Sequence, residues 1–212
     1  MDSGTRLLLV RHGQARVNVE RIIGGPLGCT GLTERGRADA RRLGARIAAE
    51  KTGVDTLLCS PLPRARETAE LISERIGLPV HREDEGLIEL KPGAADGLTS
   101  DAFDERYGRF DMTLEPDRPV APGGESWSAL RTRALDTLHR LERDFRGQRV
   151  LCVSHGVFIA AAVVSLLGIP RTGNDTRLSP DWTSVTEFTH DGTRWHLNRY
   201  NDHAHVPTGA DY

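Results

Sequence analysis

The chain has 212 residues, 38% of them hydrophobic and 27% charged, enough for one sizeable core and too few for two large ones. Lys plus Arg number 28 and Asp plus Glu 30, so the net charge of -2 gives no electrostatic case for a nucleic-acid or polyanionic-membrane partner, and any anion site must be local. Cys29, Cys59 and Cys152 are odd in number and far apart, which reads as reduced core thiols of a cytoplasmic protein rather than a disulfide framework.

The polar start, Met1 to Thr5, leads straight into Leu7-Leu8-Leu9-Val10, too short for a signal-peptide core, and no stretch approaches the ~20 apolar residues of a membrane span. Arg6 to Val10 is the first strand candidate. Thr33 then opens an Ala-, Arg- and Leu-rich helix that runs to about Glu50. Val54 to Cys59 is a second strand, and Pro61 to Ile76 a helix opened by Ser60 and Pro61. Between about Asp84 and Gly124 the periodicity dissolves into Gly, Pro, Asp and aromatic residues, too long for an ordinary connection, and reads as a lid or cap. A helix is expected from Glu125 to Phe145, a third strand over Val150 to Val153, and an apolar helix from Val157 to Leu167. Ser184 to Thr189 and Arg194 to Tyr200, joined through Asp191-Gly192, form a closing β-hairpin, with a frayed polar tail after Asn201. The β–α alternation predicts an α/β fold: a three-layer sandwich with a mostly parallel central sheet, one domain over 1–212 with a cap insertion at about 84–124.

In such a sheet ligands bind beyond the carboxyl ends of the strands. The first strand is followed by Arg11, His12 and Gly13, the second by Ser60 and then Arg64, the third by Ser154, His155 and Gly156. Two histidines and two arginines thus converge from three distant strand ends. Phosphoryl transfer needs fixed cationic donors around three equatorial oxygens, and arginine's rigid fork supplies them. A neutral imidazole can attack phosphorus without a metal. Gly13 and Gly156 leave room for a phosphate at the backbone, and the helix after Gly156 aims free N–H groups at it.

These residues resemble the signature of the histidine phosphatase superfamily, also called the phosphoglycerate mutase-like family. Arg11-His12-Gly13-Gln14-Ala15-Arg16-Val17-Asn18 stands after the first strand. Gly31 to Gly36, Ser60 to Ala69, Leu87-Ile88-Glu89, Gly93 to Thr99, Pro122 to Ser126 and Ser154-His155-Gly156 follow in family order. The likeness covers roughly Leu7 to Tyr200. It implies a phosphoglycerate mutase-like fold and a metal-independent, histidine acid phosphatase-type phosphomonoester hydrolase. His12 would be the nucleophile and Glu89 the proton donor, with His155 in the catalytic set; Arg11, Asn18, Arg64, His155 and Gly156 would bind the phosphoryl group. No cofactor and no metal are implied. The expected partner is a small phosphorylated metabolite, with a homodimer compatible and neither nucleic acid nor membrane involved. The alternative within the family is a cofactor-dependent phosphoglycerate mutase. Ala15, where a hydroxyl is usual, and Ala94-Ala95, where many members carry Trp, depart from the pattern and leave the substrate open.

Several residues have plainer readings. Ser60, Glu125 and Ser126 read as helix caps. His203 and His205, with Asp202, lack a third metal ligand at a recognisable spacing. The spacing from Cys59 to Arg64 or Arg66 does not match a cysteine phosphatase loop. Arg106, Tyr107, Arg109, Phe110 and Met112 fit either substrate contacts or an exposed amphipathic helix.

Overall fold

The computed structural model describes residues 4–170 and 177–207. Strand β1 (Thr5–Arg11) is followed by a short helix α1 (Arg16–Val19), helix α2 (Glu34–Ala49), strand β2 (Thr56–Cys59), helix α3 (Pro63–Ile76) and strand β3 (Val80–Glu83). Two 3-10 turns (Glu85–Leu87 and Gly93–Ala95) and helix α4 (Ser100–Tyr107) come next. Helix α5 (Trp127–Asp144), strand β4 (Arg149–Ser154), helix α6 (Gly156–Leu166), and strands β5 (Val185–His190) and β6 (Trp195–Asp202) complete the chain.

The six strands form one sheet in the order β3-β2-β4-β1-β5-β6. β3, β2, β4 and β1 are parallel, and β5 and β6 join antiparallel. Successive side chains of a strand point to opposite faces, and the unbroken apolar run of β1 therefore feeds two cores. Leu7 and Leu9 face α5 and α6, packing with Leu130, Leu138 and Phe158. Leu8 and Val10 face α2 and α3, packing with Leu43, Ile47 and Ile72. The result is the expected three-layer α/β sandwich.

Three details differ from the sequence expectation. Helix α3 begins at Pro63 with Leu62 as N-cap, two residues later than expected, because the second proline of Pro61-Leu62-Pro63 takes the N1 position that suits its missing N–H. The sequence reading passed over β3 because Val-His-Arg-Glu is a polar edge strand, unlike its buried neighbours. The segment after Asn201 is held as far as Pro207 rather than frayed: Asp202 makes a bidentate pair with Arg46 of α2, His205 bonds Thr183, and Val206 is buried.

Candidate active site

Residues that follow β1, β2 and β4 meet at one end of the sheet because these strands are neighbours in the order β2-β4-β1. The backbone after β1 is fixed on both sides: His12 N–H donates to Ser154 O, and Thr183 N–H donates to Arg11 O. His12 is almost wholly buried, its Nδ1 2.7 Å from Gly13 O. A carbonyl only accepts, so Nδ1 carries the proton and Nε2 keeps a lone pair. Arg64 Nε donates to that Nε2 at 3.0 Å. Arg64, in the first turn of α3, is itself buried and also donates to Gly24 O at 2.7 Å. Thr68, one turn on, donates to Arg64 O and accepts from Gly13 N–H, tying α3 to the loop that carries His12.

His155 is fully buried, its ring centroid 5.1 Å from that of His12. Its Nε2 lies 2.7 Å from Ser60 Oγ, so Ser60 belongs to this cluster instead of capping α3, whose N-cap is Leu62. His155 Nδ1 and Arg11 Nε are buried without a hydrogen-bond partner among the described residues. The Arg11 guanidinium lies over the Trp182 ring, 5.4 Å from its centroid. Burial pushes both imidazoles well below their ordinary range; for His12 the Arg64 and Arg11 charges act in the same direction, and for His155 Arg64 and His12 do. Burial likewise lowers Arg11, against the opposing charges of Glu89 and Asp181. The cluster is therefore a neutral pair of imidazoles beside two desolvated cations, an arrangement that favours an incoming anion.

The two glycines also let parts of the protein itself approach closely. A Cβ on Gly13 would stand 2.6 Å from Gly36 O, so Gly13 lets the loop touch the first turn of α2. A Cβ on Gly156 would stand 3.2 Å from Arg11 Nε, so Gly156 makes room for the arginine. The second and third N–H groups of α6 are engaged: Glu89 Oε1 accepts from Phe158 N–H at 3.0 Å and Oε2 from Val157 N–H at 3.3 Å. Glu89 thus sits on the positive end of α6, close enough for its charge to act on Arg11. Asn18 is exposed, its Oδ1 accepting from Ala15 N–H. Ala15 is buried in an apolar cluster with Val17 and Leu32, and Gln14 Oε1 accepts from Thr33 Oγ1.

The sequence reading missed Arg133. Its guanidinium donates to Gly86 O, Ile88 O and Glu89 O, and makes two bonds to Glu125, at 2.8 and 2.7 Å. It thereby holds the chain on either side of Glu89. Glu125 is accordingly an ion-pair partner, whereas Ser126 does cap α5. The available signal was an arginine at helical spacing from the buried Leu130 and Thr137. Asp96 accepts from the N–H groups of Gly25, Leu27 and Gly28, fixing the loop whose Gly24 carbonyl receives Arg64.

A cavity of about 540 Å³ adjoins the cluster along Arg11, Glu89 and Gly156. Of the residues at 106–112 singled out from the sequence, Met112 lines it along with Asp111, while Arg106, Tyr107, Arg109 and Phe110 do not.

The family model of the histidine phosphatase superfamily, branch 1, matches residues 7–203. A 2,3-bisphosphoglycerate-dependent phosphoglycerate mutase of Methylobacterium sp. is 37% identical over 77% of this chain and 81% of its own length. PhoE of Bacillus subtilis, described as an uncharacterized phosphatase, is 30% identical over 95% of this chain and 97% of its own. Among solved structures, a mycobacterial glucosyl-3-phosphoglycerate phosphatase in complex with VO3 superposes with a TM-score of 0.78 at 29% identity, covering 93% of this chain and 99% of that one.

Proposed function

The chain belongs to the histidine phosphatase superfamily, and from that premise we propose that it hydrolyses phosphomonoesters through a phosphohistidine on His12. The observation that carries this reading is the pair of buried nitrogens without a partner among the described residues, Arg11 Nε and His155 Nδ1, beside an imidazole whose Nε2 lone pair is held only by a hydrogen bond from Arg64. Leaving buried polar atoms unpaired costs about 1–3 kcal/mol each, and a phosphoryl group offers the oxygens that satisfy them.

In this mechanism Arg64 transfers its Nε hydrogen bond from His12 to a phosphoryl oxygen as the ester enters, freeing Nε2. Nε2 attacks phosphorus, the P–O bond to the alcohol breaks, and Glu89 in its acid form gives its proton to the departing oxygen. Water then attacks the phosphohistidine, Glu89 takes back a proton, the P–N bond breaks and inorganic phosphate leaves. Arg11, Arg64 and His155 meet the charge on the equatorial oxygens throughout. The arginines and the imidazole supply the electrophilic and nucleophilic functions a metal would otherwise provide.

A second reading, phosphoglycerate mutase, is favoured by the 37% identical relative. Set against it is the largely apolar lining of the cavity beside the cluster, where Arg177 is already paired with Asp111 at 2.7 Å.

The test is an acid-quench experiment in EDTA with a labelled phosphomonoester. Wild-type protein should carry acid-labile phosphate on His12 and turn over fully, while folded His12→Ala should do neither. Phosphate on a serine or aspartate, or activity lost to the chelator and restored by metal, would sink the mechanism. Interconversion of phosphoglycerates on adding 2,3-bisphosphoglycerate, faster than phosphate release, would establish the mutase reading.

A further inference from the structure

The cavity that meets Arg11, Glu89 and Gly156 lies where the alcohol half of an ester must go if its phosphoryl group sits on His12 and its leaving oxygen faces Glu89. Its walls are apolar: Met112, Trp127 from the start of α5, Val157, Ala160 and Val164 along one side of α6, and Leu178. Some of the polar side chains at its rim pair with one another or with neighbours. Asp111 holds Arg177 at 2.7 Å and accepts from Thr113, and Arg131 Nε donates to Ser165 at 3.3 Å. Of the five large apolar side chains that stand exposed among the described residues, two, Leu114 at 61% and Ile169 at 36%, border this cavity. Exposed apolar surface gathered around a concave site marks a binding region, and a volume of about 540 Å³ is that of a site for a sizeable organic ligand. A phosphorylated sugar would leave most of its hydroxyls facing methyl and indole groups, where they lose water without regaining a hydrogen bond.

We propose that the cavity receives an apolar leaving group, and that the preferred substrate is the phosphomonoester of a bulky alkyl or aryl alcohol rather than of a polyol or hydroxy acid. The inference rests on the phosphatase reading: His12 and Glu89 act on the ester oxygen at the cavity's inner end, and the hydrocarbon chain extends along α6 toward Leu114 and Ile169. Each methylene moved from water into this lining lowers the free energy of the bound ester, so the dependence on chain length measures the pocket directly.

The experiment compares kcat/KM for ethyl, butyl, hexyl and octyl phosphate, all below micelle-forming concentrations, with that for 3-phosphoglycerate. Binding of the unreactive methyl- and octylphosphonates is measured alongside by calorimetry. The specificity constant should rise about two- to fourfold per added methylene until the cavity is full, with octyl phosphate exceeding 3-phosphoglycerate by about a hundredfold or more. Octylphosphonate should bind more tightly than methylphosphonate. Val164→Trp, which narrows the cavity at α6, should collapse the octyl-to-ethyl ratio at least tenfold. Hydrolysis that is flat across the series, or that favours 3-phosphoglycerate, overturns the inference and leaves the phosphatase reading intact. If no ester is hydrolysed the phosphatase reading fails instead, and tighter binding of octylphosphonate would still support an apolar pocket, while equal binding would remove that too.

Discussion

Two bonds of opposite sense set the state of the His12 ring: Nδ1 donates its N–H to Gly13 O, which leaves the lone pair on Nε2, and Nε2 receives a bond from Arg64 Nε. In the proposed mechanism Arg64 thus covers the nucleophile in the resting protein and stabilises charge in the transition state, whereas Glu89 matters only where the leaving oxygen needs a proton. Glu89→Gln should accordingly reduce turnover about 10²- to 10⁴-fold on an alkyl phosphate and far less on p-nitrophenyl phosphate, whose leaving group departs unprotonated. Arg64→Ala should cost about 10²- to 10³-fold on both. Equal losses on the two esters for Glu89→Gln would remove it from the acid role and turn attention to Glu85 and Asp96, although Asp96 is already committed to three backbone N–H groups. Arg11, His12, Arg64 and His155 were legible in the sequence because each stands just beyond a recognisable strand, and they are indeed brought together. Ser60 and Arg133 were not. Ser60 before Pro61 fits a helix cap as well as a bond to His155, and Arg133 acts through carbonyls more than forty positions away, which no local spacing records.

Between elements, the closest approach near the site is that of the His12 loop to the first turn of α2. A Cβ on Gly36 would fall 2.1 Å from Gln14 O, and Gln14 O also accepts from Thr33 N–H, so neither backbone can yield without losing the N-cap region of α2. Gly36→Ala should therefore destabilise the protein by about 3 kcal/mol, read as a lower midpoint in urea with an unchanged slope. An unaltered midpoint would mean that the loop is free to move, and that Gly36 is a bystander. The apolar strands β1, β2 and β4 could be read from composition because parallel strands are buried on both faces. The edge strand β3 and the four-residue α1 could not, since neither has a periodic apolar pattern to announce it. The anchoring of the C-terminal segment was equally hidden, resting on long-range contacts such as Arg46 with Asp202 and Thr183 with His205.

For the molecule as a whole, the buried histidines set the pH range of stability. His12 and His155 are held well below the ordinary imidazole value in the folded protein, and His205 is lowered to about 4 by burial. In the unfolded chain all three titrate near ~6.5. Above that value both states are neutral and nothing is lost. Below it the unfolded chain takes up protons that the fold refuses, and stability falls as pH falls. His12 and His155 together should remove about 3 kcal/mol between pH 7.5 and 5.5, with His205 acting in the same direction. Denaturant titrations in phosphate-free buffer at the two values check this, and equal stabilities would show that the imidazoles are not held neutral. The sheet order has one more consequence, for biosynthesis. β1 leaves the ribosome well before the strands it pairs with, since both strands that flank it in the sheet, β4 and β5, lie beyond residue 148. At about 5–20 residues per second, a fully apolar Leu-Leu-Leu-Val segment waits roughly 7 to 30 seconds with both edges unpaired. Such a strand is a target for other nascent chains and for holding chaperones. His12 gains its surroundings only after His155 and Thr183 have emerged, so a product truncated before residue 155 would lack the second imidazole of the proposed site.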